Sequence, residues 1–79
     1  MNKQWIALSA LQEGAAATVK AVELEGMIAR RLYELGVTEG TRVQCLQKSP
    51  TGDPVAYAIR GAVIALRRAD TARILVEAR

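Results

Sequence analysis

The side chains that could do covalent or proton-transfer chemistry in this 79-residue chain are Ser9, Ser49 and Cys45 as nucleophiles and Glu23 with Glu25 as a neighbouring pair of acids. A serine or cysteine nucleophile working near neutral pH needs a base within hydrogen-bond reach, most often an imidazole, and the chain contains no histidine. Glu23 and Glu25 fall on a strand-to-helix connection, where two carboxylates form a solvated edge rather than an acid/base pair. No glycine-rich loop leads into a helix with a lysine, so a phosphate cradle is missing as well. One cysteine and no histidine leave neither a disulfide nor the usual soft-metal ligand set. These observations predict a chain that is not an enzyme and holds no cofactor and no metal. Cys45 alternates with Val43 along an apolar strand and is expected to be a small buried hydrophobe.

Binding chemistry remains. Arg30, Arg31, Arg60, Arg67 and Arg68 could gather into a basic patch, but the net charge of +3 comes from 11 basic and 8 acidic side chains that are mostly interspersed. With only Trp5, Tyr33 and Tyr57 available to stack on bases, the arginines read as a solvated face and nucleic acid is not expected as a partner. Trp5 is expected to dock against the core as a satellite hydrophobe, with a partner anchor as the alternative.

The elements that must position these groups are clearest between residues 52 and 67. A two-residue loop at Arg60-Gly61, where Gly61 supplies the positive φ of a tight hairpin turn, sets Ile59 opposite Ala62, Tyr57 opposite Ile64 and Val55 opposite Leu66. All the bulky residues then share one face. The other face carries Ala56, Ala58, Val63 and Ala65, a flat apolar set with Arg60 at its end. This is the candidate partner-binding surface, because small side chains let another backbone approach and a charged rim orients it.

Elsewhere the periodicity is shorter. Residues 3–12 form a leader in which Leu8 and Leu11, one helical turn apart, cap one mouth of the core. Residues 15–23 form a strand with Val19 inward and Thr18 and Lys20 outward. Ile28, Leu32 and Leu35 at i, i+4 and i+7 predict an amphipathic helix over residues 27–35, with Arg30, Arg31 and Glu34 on its other side. Gly36 stands where a left-handed residue ends a helix, and Val37 beyond it can pack back on Leu32. A second strand covers residues 41–47. The two prolines and the glycine of residues 49–54 make a loop, residues 68–72 a single helical turn, and Ile74 with Val76 a closing strand. The expected core is Ile28, Leu32, Leu35, Val43, Tyr57, Ile59, Ile64, Leu66, Ile74 and Val76.

The fold class is therefore mostly β, a single domain over residues 1–79 with about five short strands and one principal helix. So many short strands in so few residues close most economically into a small barrel, with an open sheet packed on the helix as the competing arrangement. No apolar run approaches the ~20 residues that span a bilayer, and nothing at the N-terminus reads as a signal peptide, so no membrane insertion is expected and the cytoplasm is the expected location.

The order Gly52-Asp53-Pro54, strand, Arg60-Gly61, strand, Ala65-Leu66-Arg67 resembles the FeoA family of small accessory proteins of bacterial ferrous iron transport. Residues Arg31-Leu32-Tyr33-Glu34-Leu35-Gly36-Val37 followed by Gly40-Thr41 resemble that family's helix, glycine stop and second glycine turn, and Leu8, Leu11 and Gly14 its opening. The resemblance covers nearly the whole chain. It departs at Glu39, where members often carry proline, and at Ala56 and Ala58, where polar residues are usual. The resemblance implies an SH3-like barrel and a non-enzymatic adaptor that binds the membrane ferrous iron permease at its cytoplasmic GTPase region and modulates iron uptake. Self-association through the same flat face is a further expectation. A regulatory barrel like that at the C-terminus of metal-dependent transcriptional repressors is the second reading, and a small RNA-binding barrel the third.

Overall fold

A computed structural model describes residues 5–78. Six antiparallel strands form one sheet: β1 (Trp5–Ala7), β2 (Ala16–Val22), β3 (Arg42–Lys48), β4 (Val55–Ile59), β5 (Ala62–Leu66) and β6 (Ile74–Ala78), in the spatial order β1-β6-β2-β3-β4-β5. The principal helix α1 (Gly26–Glu34) links β2 to β3, and a single turn, α2 (Arg68–Thr71), links β5 to β6. Five strands match the expected ones within a residue or two at most ends. The sixth, β1, comes from the leader. Its three residues pair with β6, Ile6 opposite Val76, before the chain makes the 3-10 turn Leu8–Ala10. A three-residue strand has no periodicity to read, which is why the sequence shows only the two leucines that follow it. Trp5 lies half-buried in β1 opposite Glu77, and Leu8 and Leu11 are both buried, as expected of residues that cap the core.

The hairpin has the register that its residues predict, Val55 opposite Leu66, Tyr57 opposite Ile64 and Ile59 opposite Ala62. Arg60 (φ 51°) and Gly61 (φ 83°) both adopt positive φ, the type I′ geometry whose twist matches that of the flanking strands. Register shifts between Val19 and Ala21 in β2 and between Cys45 and Gln47 in β3 mark bulges, which bend a sheet and let it curl around one core. That core is built from Leu8, Leu11, Ala17, Val19, Leu32, Val37, Val43, Cys45, Val55, Tyr57, Ile59, Leu66, Ile74 and Val76.

Helix α1 stops as its sequence requires. Gly36 takes φ 95°, the Gly36 N–H donates to the Tyr33 carbonyl at 3.0 Å, and the Val37 N–H reaches back to the Leu32 carbonyl at 2.9 Å. Leu32 is the one residue of α1 that is fully buried, and Met27 at its start is 88% exposed. Three residues expected in the core are corrected by the structure: Ile28, Leu35 and Ile64 are only half-buried. Ile28 and Ile64 pack against the margin of the core, and together with Leu35 they also border the space between α1 and β5.

Candidate functional site

Cys45 is wholly buried in β3 opposite Tyr57, and that burial pushes its thiol up from the ordinary value of 9.0, with Lys48 pulling the other way. A thiol held protonated inside a core is not a nucleophile. Among the described residues no three of Cys, Asp and Glu come together as metal ligands. The Glu23 carbonyl accepts a hydrogen bond from the Arg73 side chain at 3.1 Å, and its carboxylate stands at an exposed position, as does that of Glu25. Two carboxylates serve the backbone instead: Glu13 accepts the Lys48 N–H at 2.8 Å and Asp53 accepts the Arg68 N–H at 3.0 Å, the latter at the start of α2.

The five arginines serve different places. Arg30 pairs with Glu34 one turn along α1 at 4.0 Å, an exposed pair that contributes little. The stem of Arg60 lies across Gly36, where a Cβ would collide with it, so the hairpin tip covers the carboxyl end of α1. Arg31 and Arg67 face one another across a groove, and Arg68 begins α2. Tyr57, the largest wholly buried side chain, hydrogen-bonds the side chain of buried Thr71, whose own hydroxyl donates to the Arg68 carbonyl at 3.4 Å; its phenol is pushed up, first by burial.

Two surfaces remain for recognition. The outer face of the hairpin carries the residues read from its register: Val63, 71% exposed, Ala65, also exposed, and Ala56 and Ala58, both half-buried. Gln44 and Gln47 of β3 stand opposite Ala58 and Ala56, so the flat apolar patch is bounded by amides on its inner side. The sequence contains no sign of the second surface. It is a groove of about 360 Å³ between α1 and β5, lined by Ile28, Leu32, Leu35, Ile64, Leu66 and Ala65, with Arg31, Arg67 and Asp70 at its rim. Its apolar residues carry the same periodic signal as core residues, so only the distance between helix and strand separates a groove from a core.

Residues 6–78 match the model of the FeoA domain, nearly the whole chain. The chain belongs to the FeoA domain family. It is 39% identical over 70 residues to the Fe(2+) transport protein A/Fe(2+) transporter FeoB fusion protein of Porphyromonas gingivalis; the match takes in 89% of this chain and 8% of that protein. The chain thus spans less than a tenth of the length of that relative. Among solved structures, the FeoA protein of Chlorobium tepidum superposes with a TM-score of 0.88 at 33% identity, covering 92% of this chain and 70% of that one. The zinc-complexed FeoA of Stenotrophomonas maltophilia, described as a prokaryotic SH3 domain protein, gives 0.76 at 36% identity over 87% of this chain and 86% of that one. The fold is this SH3-like small barrel, as the family resemblance implies. A manganese-dependent transcriptional repressor reaches a TM-score of 0.85 at 21% identity, over 95% of this chain and 37% of that one, and so shares the fold alone. No helix among the described residues is long and apolar enough to cross a membrane.

Proposed function

We propose that this FeoA domain is a non-enzymatic cytoplasmic adaptor that binds the ferrous iron permease at its cytoplasmic GTPase region and modulates ferrous iron uptake. The observation that carries the reading is the relative in which transport protein A and the transporter are one chain. Covalent linkage holds two modules at an effective concentration of about a millimolar, which favours even a weak contact between them. The absence of histidine from the sequence and the burial of Cys45 also favour a role in recognition rather than catalysis.

The contact surface in this reading is the outer face of the hairpin, Ala56, Ala58, Val63 and Ala65, with Arg60 at its tip. Small side chains expose little that must be desolvated or reordered and allow close approach of another backbone. Substituting Ala58→Glu puts a carboxylate in the middle of this face, extending outward from a half-buried β-carbon that is itself retained. The variant is expected to melt within a few degrees of the parent and to bind the permease's GTPase domain about tenfold more weakly, or worse. Normal melting with undiminished binding removes this face from the interface. Failure of the parent itself to bind the GTPase domain removes the partner.

A further inference from the structure

The half-buried state of Ile28, Leu35 and Ile64 has a common cause: all three line the groove between α1 and β5. One wall of that groove is a sheet edge that no described residue pairs with. Among the described residues strand β5 is last in the sheet and pairs with β4 alone, and the tight hairpin sets which of its backbone groups are free. A two-residue loop makes Ile59 and Ala62 a hydrogen-bonded pair, so Ala62, Ile64 and Leu66 turn their N–H and C=O groups toward β4. Val63 and Ala65 turn theirs outward, and no turn or loop bond among the described residues satisfies them. Within the strand itself the edge is unblocked: β5 contains no proline, no charge and no bulge.

We infer that the β5 edge is a docking site for an extended segment of a partner protein, which adds a seventh strand beside Val63 and Ala65. This rests on the reading of the chain as a partner-binding module and adds the mode of contact. Alternate side chains of such a strand point to opposite faces. One set enters the groove against Ile28, Leu32 and Leu35. The other extends the outer patch of Val63 and Ala65. The apolar lining therefore selects aliphatic residues at every second position of the incoming segment.

Charge selects its ends. Arg60 precedes β5, Arg67 follows it, and Arg31 faces the groove from α1; all three are exposed and none has an ion-pair partner among the described residues. Asp70 is the one carboxylate lining the groove, and Asp53 stands near Ala65 and Arg67 on the other side of the strand, so the three arginines outnumber the acids along the edge. This favours an incoming segment with carboxylates at both ends. It disfavours a second copy of the chain. Antiparallel pairing of two β5 edges about Ile64 would bring the hairpin-tip Arg60 of each copy toward the Arg67-Arg68 end of the other, a like-charge approach that opposes association.

The test uses the full chain and two synthetic nine-residue peptides with the same alternating valine–threonine centre, one ending in glutamates and the other in lysines. The glutamate-ended peptide is expected to bind about tenfold or more tightly than the other, and its binding is expected to slow amide hydrogen exchange at Val63 and Ala65 selectively. In an Arg67→Glu variant the preference between the two peptides should shrink or invert. An Ala65→Pro variant, which removes an outward N–H without touching the β4 ladder, should lose peptide binding while keeping its strand pairing. Equal affinity for the two peptides, or binding that leaves exchange at Val63 and Ala65 unchanged, overturns the proposal. Concentration-dependent protection of the same amides without peptide also overturns it, in favour of a second copy. Binding of the permease domain with these amides still exchanging freely sinks the edge and leaves the permease reading intact. Peptide binding without permease binding does the reverse.

Discussion

Replacing Gly36 with alanine separates two contributions that meet at the end of α1. The first is conformational: at φ 95° an L-residue carries a penalty of roughly 1–2 kcal/mol that glycine does not. The second is tertiary, because the new Cβ would collide with the stem of Arg60. Arg60 is exposed and can swing away, so the collision does not unfold the hairpin, but it takes the guanidinium from the carboxyl end of α1. A cation in that position contributes about 0.3–1 kcal/mol. The sum is about 2 kcal/mol, which for a domain of this size lowers Tm by roughly 8–16 °C. The decisive measurement is a double-mutant cycle by urea denaturation on Gly36→Ala, Arg60→Ala and the pair. Since the Arg60 contribution can be lost only once, the double variant should be more stable than the sum of the singles by about 0.3–1 kcal/mol. Strict additivity would show that Arg60 does not lie on the helix end in solution. A Gly36→Ala variant as stable as the parent would refute the left-handed stop itself.

Two further outcomes follow from Tyr57 and Cys45. Tyr57→Phe should cost about 1 kcal/mol by chemical denaturation, whereas Thr71→Val, which strands a buried phenolic hydroxyl, should cost more, about 1–3 kcal/mol; the reverse order would mean that the two side chains are not hydrogen-bonded partners. Stability should also fall at alkaline pH. Burial raises both groups in the folded chain, so the unfolded chain releases its protons first: the fall begins as pH passes the ordinary thiol value of 9.0 and continues past the phenol value of 10.0. A urea midpoint followed from pH 7 to pH 11 checks this, and a Cys45→Ala variant should lose the earlier part of the fall. A rise in stability over that range would contradict the burial of both groups.

The fold was legible where local chemistry over-determines it. Arg60-Gly61 admits one tight turn, that turn sets one register, and the register puts Val55, Tyr57, Ile59 and Leu66 on the inward face, where all four are buried. The helix stop at Gly36 and the inward Val43 and Cys45 are legible for similar reasons of backbone sign and period. Strand β1 was not, because three residues carry no pattern and their place is decided by a partner about seventy residues away in β6.

For the candidate site the division is sharper. The flat outer face of Ala56, Ala58, Val63 and Ala65 is a consequence of register and so belongs to the sequence. The groove does not: Ile28, Leu35 and Ile64 carry the periodic signal of core residues, and hydrophobic period reports which side of an element faces inward, not how closely the opposite element approaches. That distance depends on the placement of α1, which is seated through Leu32 and held at its carboxyl end by Arg60 from the hairpin tip, and on β5 standing last in the sheet. Which residues turn inward is a local property, legible from period and turn chemistry. That three of them meet an unfilled groove beside an open strand edge depends on packing between elements distant in sequence, which exists only in the assembled chain.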